Sequence, residues 1–110
     1  MSTIPELGPR DFVERWPDFP ESGVTLLDVR EPHELAISSI PGCVHIPMGQ
    51  IPGRLNELDK QSTIVVICRS GARSLRVAEF MAASGFESVY NLKGGINAWS
   101  TEVDPTLMQY

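Results

Sequence analysis

The sequence has few of the features that mark several broad classes of protein. It contains two cysteines among 110 residues, too few for the dense disulfide framework of a small secreted domain. No run approaches the roughly 20 apolar residues of a transmembrane helix. The first residues, MSTIPELGPR, lack the basic start and apolar middle of a secretion signal. We therefore expect free thiols in a cytoplasmic protein that does not enter a membrane.

Positive charge is also scarce. Nine Lys and Arg residues face fourteen Asp and Glu residues, a net charge of -5, and the sequence has neither a basic stripe for nucleic acid nor a cationic helix for a membrane surface. The histidines, His33 and His45, stand with the cysteines at spacings that match no zinc pattern. We expect no nucleic-acid partner, no metal and no cofactor.

The length and the apolar content suit one domain. A chain of 110 residues with 42% hydrophobic content can bury a single core and is too short for two. We predict one domain over 1–110, with its core over about 7–101. The tail at 102–110 is expected to be loosely ordered, because Pro105 stops a helix and chain ends fray.

Apolar runs alternate with helix-compatible segments. The runs occupy 24–29, 44–46, 63–68 and 88–92, and the helical patterns occupy 10–16, 32–37, 53–58, 72–84 and 95–101. This alternation predicts an α/β fold, a central parallel sheet with helices on both faces. Ligands of such open sheets bind at the carboxyl ends of the strands, and Cys68 lies at such an end.

The loop motif CRSGARS at 68–74 is the strongest chemical signal. A tight turn from strand to helix directs backbone N–H groups at one point, which makes a small anion nest. Arg69, Arg73 and Arg76 add positive charge, and the sequence has no acidic residue between Cys68 and Glu79. A cysteine is often a plain buried apolar residue, but these surroundings favour a thiolate with a pKa below the ordinary value of about 8.5.

Four motifs resemble the rhodanese family of sulfurtransferases in their order and spacing. They are LLDVREPHEL, IPGCVHIP, VVICRSGARS and VYNLKGGINAW, and the resemblance extends from about Leu7 to Trp99. It implies a small rhodanese-like α/β domain of about five strands. It also implies an enzyme in which Cys68 carries a persulfide between a sulfur donor and an acceptor.

The loop length separates this family from relatives with a similar fold. Cysteine-dependent phosphatases place five residues between the nucleophile and an arginine, whereas four residues separate Cys68 from Arg73 here. The smaller loop suits one added sulfur better than a phosphoryl group. A phosphatase or arsenate reductase function is therefore a weaker interpretation.

The resemblance implies a two-step sulfur transfer. The Cys68 thiolate takes the outer sulfur of a donor such as thiosulfate, and cyanide or a thiol then removes it. Arg69 and Arg73 are expected to attract the donor dianion. Besides Cys68, the candidate site residues are Arg69, Ser70, Gly71, Ala72, Arg73 and Ser74. Two of them have alternative roles: Ser74 either binds the sulfur or caps the first helical turn, and Gly71 either shapes the loop or is ordinary turn punctuation.

A second hypothesis is a sulfur-relay module. It would deliver persulfide sulfur to a partner protein in sulfur-carrier, cofactor or tRNA thiolation pathways. The tail GGINAWSTEVDPTLMQY resembles the ends of rhodanese domains fused to ubiquitin-activating-like (E1-like) enzymes, so a sulfur-carrier or E1-like protein is a candidate partner. An inert binding domain ranks last, because such relatives usually lack the cysteine.

Three other residues stand near strand ends. We interpret Asp28 and Arg30 as an architectural pair, since the proposed chemistry needs no carboxylate. Cys43 occupies a position where the family commonly has alanine. It is either a thiol that resolves the Cys68 persulfide or, as we favour, a small buried side chain.

Overall fold

The computed structural model describes residues 3–110, which form five strands and five α-helices. The strands are β1 (Glu6–Leu7), β2 (Thr25–Asp28), β3 (Val44–His45), β4 (Thr63–Ile67) and β5 (Ser88–Leu92). The helices are α1 (Pro9–Arg15), α2 (Pro32–Ile37), α3 (Ile51–Arg54), α4 (Ala72–Ala83) and α5 (Gly95–Glu102). Short 3-10 turns at Met48–Gln50 and Leu55–Glu57 flank α3.

The five strands form one sheet in the order β1-β5-β4-β2-β3. Every pairing is parallel, so all five carboxyl ends lie at the same edge. This confirms the predicted parallel α/β fold. The sequence pattern did not show β1, because a two-residue edge strand is too short to display an alternation.

The sheet separates two apolar layers. Along β4 the side chains alternate, with Ile64, Val66 and Cys68 in the layer that α3 and α4 cover. Val65 and Ile67 belong to the opposite layer, which α1 and α5 cover. Cys68 continues the period-two pattern of the strand, so its sulfur lies on the α4 side of the sheet.

The C-terminal segment packs against the domain. Val103, Leu107 and Tyr110 contact the apolar layer beside α5, and the hydroxyl of Ser100 donates a hydrogen bond of 2.6 Å to the carbonyl of Leu107. The expected loose tail is therefore an ordered strap, because apolar burial and side-chain hydrogen bonds offset the fraying of a chain end. Within 3–110, every helix is too short or too polar to cross a bilayer.

Candidate active site

The connection between β4 and α4 holds the candidate nucleophile. The strand ends at Ile67, Cys68 follows it, and the helix begins at Ala72. Gly71 precedes the helix with φ at 110°, a conformation that glycine enters without steric penalty. A Cβ on Gly71 would also lie 3.4 Å from the backbone nitrogen of Gly94. The tight turn therefore requires glycine at this position.

The sulfur of Cys68 is surrounded by hydrogen-bond donors. The side chain is only 1% exposed, the N–H of Gly71 donates to Sγ at 3.1 Å, and the hydroxyl of Ser74 lies 3.3 Å from it. Burial raises the pKa of Cys68, but hydrogen bonds from the Ser74 hydroxyl and from the N–H groups of Ser74, Gly71 and Ser70 outweigh it. The net pKa is lowered from its ordinary value, so the loop favours the thiolate.

The remaining small residues of the motif act through the backbone or lie inside the domain. Ser70 and Ala72 are exposed, and the contribution of Ser70 to the sulfur is its N–H group. Ser74 is completely buried, and its hydroxyl bonds with the sulfur and with Asn91. This arrangement favours the sulfur-binding role of Ser74 over first-turn capping.

Arg73 is held by an acidic partner from another helix. Its two terminal nitrogens donate to the two carboxylate oxygens of Glu34 in α2 at 2.8 and 2.9 Å. This bidentate contact lowers the pKa of Glu34 to about 2 and raises the pKa of Arg73. The positive charge of Arg73 is thus largely balanced.

Arg69 is engaged as well. Its guanidinium carbon lies 4.9 Å from the centre of the Tyr110 ring, within range of a cation–π contact. The Tyr110 hydroxyl in turn donates to Glu34 and accepts a hydrogen bond from Arg30. Partners distant in the sequence thus contact both side chains. The attraction of Arg69 and Arg73 for a dianion stays a prediction, with their charge shared with these partners.

The turn before α5 supports the back of the loop. The N–H groups of Ile96 and Asn97 donate to the carbonyls of Cys68 and Arg69 at 2.9 and 3.2 Å. Gly95 has φ at 61°, and a Cβ there would collide with these same carbonyls. The paired glycines of VYNLKGGINAW thus allow the α5 N-terminus to fix the loop from behind.

The sequence did not predict three residues that contact the site. Asn91 is buried in β5 and accepts a hydrogen bond from Ser74, Glu34 holds Arg73, and Tyr110 contacts Arg69. A polar residue inside the apolar strand VYNL is a signal that could have identified Asn91. Glu34 and Tyr110 carry no local signal, because their role depends on tertiary contacts.

Asp28 and Arg30 form a buried ion pair at the end of β2. The Arg30 side chain is fully buried and donates to the Asp28 carboxylate at 2.8 to 3.1 Å. Other guanidinium hydrogens bind the carbonyls of Glu34 and Ser38. The pair thus ties the strand to α2 and the following turn, which agrees with the architectural interpretation.

Cys43 and the histidines lie apart from the sulfur. Cys43 packs in the apolar layer on the opposite face of the sheet from Cys68, and burial raises its pKa to about 12. This placement favours the small buried side chain over the resolving thiol. The ring of His45 lies 2.6 Å from the carbonyl of Arg30, and His33 is exposed. Within 3–110, no group of three or more His, Cys, Asp or Glu side chains is placed to hold a metal ion.

Comparison with known proteins shows which family this chain resembles. The family model described as Rhodanese-like domain matches residues 16–102. A sulfurtransferase from Allochromatium vinosum is 43% identical over 77 residues, which cover 70% of this chain and 72% of that protein. The thiosulfate sulfurtransferase GlpE of Actinobacillus pleuropneumoniae is 31% identical over 97 residues and is covered to 87%.

Other relatives are much longer than this chain. It spans 30% of the Arabidopsis thaliana rhodanese-like/PpiC domain-containing protein 12, at 42% identity. It spans 22% of the Arabidopsis adenylyltransferase and sulfurtransferase MOCS3, at 33% identity. Among solved structures, a rhodanese-related protein from Thermoplasma volcanium superposes with a TM-score of 0.80 at 30% identity, over 91% of this chain and 94% of that one.

Proposed function

Because the chain belongs to the family of rhodanese-like domains, we propose that it is a sulfurtransferase that carries a sulfane sulfur on Cys68. The donor is a compound such as thiosulfate, and the acceptor is cyanide or a thiol. Relatives named as sulfurtransferases support the general class. The observation that carries the proposal is the buried Cys68 sulfur with several donors directed at it.

The first step loads the enzyme. The Cys68 thiolate attacks the outer sulfur of thiosulfate, a new S–S bond forms, and the S–S bond of thiosulfate breaks as sulfite leaves with its electron pair. The negative charge lies on the Cys68 thiolate before the step and on the outer sulfur of the persulfide after it. We expect the N–H groups of the loop to receive that sulfur, since those of Ser70, Gly71 and Ser74 are directed at Sγ of Cys68.

The second step unloads it. Cyanide or a thiolate attacks the outer sulfur, the Cys68 S–S bond breaks, and the thiolate of Cys68 is regenerated as the leaving group. The same hydrogen bonds that lower the pKa of Cys68 make it a better leaving group. Neither step needs a general base, since the nucleophile is already ionised.

A reducing compartment protects the Cys68 thiol from oxidation. Cys43 and Cys68 are both unpaired, and the cytoplasm keeps thiols reduced. We therefore assign the proposed activity to the cytoplasm. Detection of the protein in an oxidising compartment would overturn this assignment.

Intact-mass measurement tests the proposal. Reduced wild type, Cys68→Ser and the matched control Cys43→Ala are incubated briefly with thiosulfate, before and after addition of cyanide. We expect wild type and Cys43→Ala to gain one sulfur that cyanide removes, and Cys68→Ser to gain none. An equal gain in Cys68→Ser would contradict the role of Cys68.

A second function is a relay in which a partner protein donates or accepts the sulfur. The engagement of Arg73 by Glu34 and of Arg69 by Tyr110 favours it, because it weakens the attraction for a small dianion. MOCS3, whose name combines adenylyltransferase and sulfurtransferase, is a relative in which a similar segment shares a chain with another activity. A sulfur-carrier or E1-like protein is the corresponding partner here.

Kinetics separate the two functions. Rapid turnover of thiosulfate and cyanide supports a free-standing enzyme. Loading from a protein persulfide, as on a cysteine desulfurase, combined with slow loading from thiosulfate, supports the relay. The absence of loading from both donors would contradict both.

A further inference from the structure

The hydroxyl of Ser74 lies between two acceptors. Its oxygen is 3.3 Å from Sγ of Cys68 and 2.5 Å from Oδ1 of Asn91. A serine hydroxyl has one hydrogen, and Ser74 is completely buried. It can therefore donate to the sulfur or to the amide oxygen, but not to both at full strength.

The orientation of the Asn91 amide is determined by its other contacts. Nδ2 lies 2.8 Å from a carboxylate oxygen of Glu6 and 3.2 Å from the carbonyl oxygen of Gly71. Both partners only accept hydrogen bonds, so the nitrogen has to face them and Oδ1 has to face Ser74. Asn91 is 1% exposed, and within residues 3–110 its oxygen is satisfied by the hydroxyl of Ser74.

The protonation state of Cys68 decides which acceptor prevails. A thiol can donate its S–H to the Ser74 oxygen while Ser74 donates to Asn91. A thiolate draws the Ser74 hydrogen toward Sγ, and the buried Asn91 oxygen then loses its donor, which is unfavourable. In the persulfide the charge lies on the outer sulfur, so Ser74 can donate to Asn91 again.

We propose that Asn91 is a positioning residue that competes with Cys68 for the Ser74 hydrogen. It thereby disfavours charge on Sγ and favours the loaded protein over the empty thiolate. The part that concerns the persulfide rests on the proposed function. The part that concerns the thiolate does not, because it follows from the three side chains alone.

Several charged or titratable groups belong to the loop and to the elements around it. They are Glu6 of β1, Asp28 and Arg30 at the end of β2, Glu34 of α2, His45 of β3, Arg69, Arg73 and Arg76 of the loop and α4, Lys93 after β5, and Tyr110 of the tail. The charge of Arg73 interacts with that of Cys68. None of these groups is substituted in the variants compared below. Asn91→Leu removes the hydrogen bond to Glu6 with or without Ser74, so the dependence of the pKa change on Ser74 isolates the competition.

The test is a double-mutant cycle on the pKa of Cys68. The rate of alkylation by iodoacetamide is measured against pH in Cys43→Ala, alone and combined with Asn91→Leu, Ser74→Ala or both. We expect Asn91→Leu to lower the pKa by about one unit, a roughly tenfold change in the ratio of thiolate to thiol. The substitution should have little effect when Ser74 is already alanine. An unchanged or raised pKa in Asn91→Leu, or an equal decrease without Ser74, would overturn the proposal.

A measurement without any change at Asn91 covers the case in which Asn91→Leu does not fold. In ¹⁵N-labelled protein, the side-chain amide resonances of Asn91 should shift as the pH passes through the pKa of Cys68. The shift should be far smaller in Ser74→Ala. Equal shifts in both proteins would contradict the competition.

The persulfide part has its own readout. At a fixed ratio of thiosulfate to sulfite and a pH above the pKa of Cys68, the ratio of loaded to empty protein should fall about tenfold in Asn91→Leu. An unchanged ratio would overturn this part. If wild type itself does not load, the proposed function fails and the persulfide part fails with it, whereas the pKa cycle still decides the role of Asn91 toward the thiolate.

Discussion

The carboxyl ends of β2 and β4 lie side by side, and each has a buried side chain that can carry a negative charge. The two charges are stabilised in different ways. Asp28 at the end of β2 is in register with Ile67, the residue before Cys68. Asp28 has a guanidinium bound to its carboxylate, so its charge is fully matched. Cys68 has hydrogen-bond donors around its sulfur, which stabilise an anion without neutralising it.

The difference separates architecture from chemistry. A buried charge with a bound counter-charge holds elements together, and removal of either partner leaves an uncompensated ion. A buried nucleophile held by N–H and O–H groups keeps its charge available for a bond to another atom. Substitutions at the β2 end should therefore change stability, and substitutions at the β4 end should change reactivity.

Loss of the nucleophile should have the largest effect. Cys68→Ser replaces the thiolate by a hydroxyl that is not ionised at neutral pH, so sulfur loading should fall by a factor on the order of 10³ or more. Turnover of thiosulfate and cyanide measures this. The stability of the variant should remain close to that of wild type. Comparable turnover in both proteins would show that Cys68 is not the nucleophile.

Loss of the counter-charge at β2 should have the next largest effect. Arg30→Met removes the partner of a buried carboxylate and should lower the free energy of unfolding by about 3–5 kcal/mol. Urea denaturation measures the change. Arg54→Met is the matched control, because Arg54 pairs with Glu57 at the surface and its loss should have little effect. Equal stability of Arg30→Met and wild type would show that the pair is not architectural.

The Glu34–Arg73 pair predicts a smaller, acid-dependent effect. The pKa of Glu34 is depressed from about 4.5 to about 2, so its contribution to stability is present above about pH 4.5 and is lost as the pH falls through about 2. We expect about 1–2 kcal/mol, reduced because Arg73 is partly open to solvent. The difference in stability between wild type and Glu34→Gln should therefore shrink between pH 7 and pH 2.5. A difference that is independent of pH would contradict the assignment.

Release of Arg69 should have the smallest effect. Tyr110→Ala removes the ring beneath the guanidinium, so Arg69 can turn toward an incoming dianion. We expect kcat/KM for thiosulfate to rise a few-fold, with the increase lost at high salt. Tyr110→Phe retains the ring and is the control that should leave this value nearly unchanged. A decrease in Tyr110→Ala would show that the ring assists the site instead.

Sequence patterns identified the parts of the site whose residues are close together in the sequence. The apolar run at 63–68 and the helical pattern that begins at Ala72 predicted a cysteine at a strand end in a tight turn, and the structure agrees. The same patterns did not identify the partners of Arg69 and Arg73. Glu34 is 39 positions from Arg73, and nothing in either segment encodes that they meet.

The tail shows the same limit of local reasoning. Pro105 does end helix formation, since α5 stops at Glu102. The chain then folds back, and the side-chain amide of Asn97 bonds with the backbone of Tyr110. Such a contact depends on how two elements pack, which a single sequence does not show.

The position of the transferred sulfur in the chain shows directly whether Cys68 carries it. Wild type is incubated with thiosulfate, alkylated at neutral pH and digested, and the peptides that contain Cys43 and Cys68 are analysed by mass spectrometry. We expect one additional sulfur on the Cys68 peptide, with the Cys43 peptide unchanged. Additional sulfur on Cys43, or turnover with none on Cys68, would contradict it.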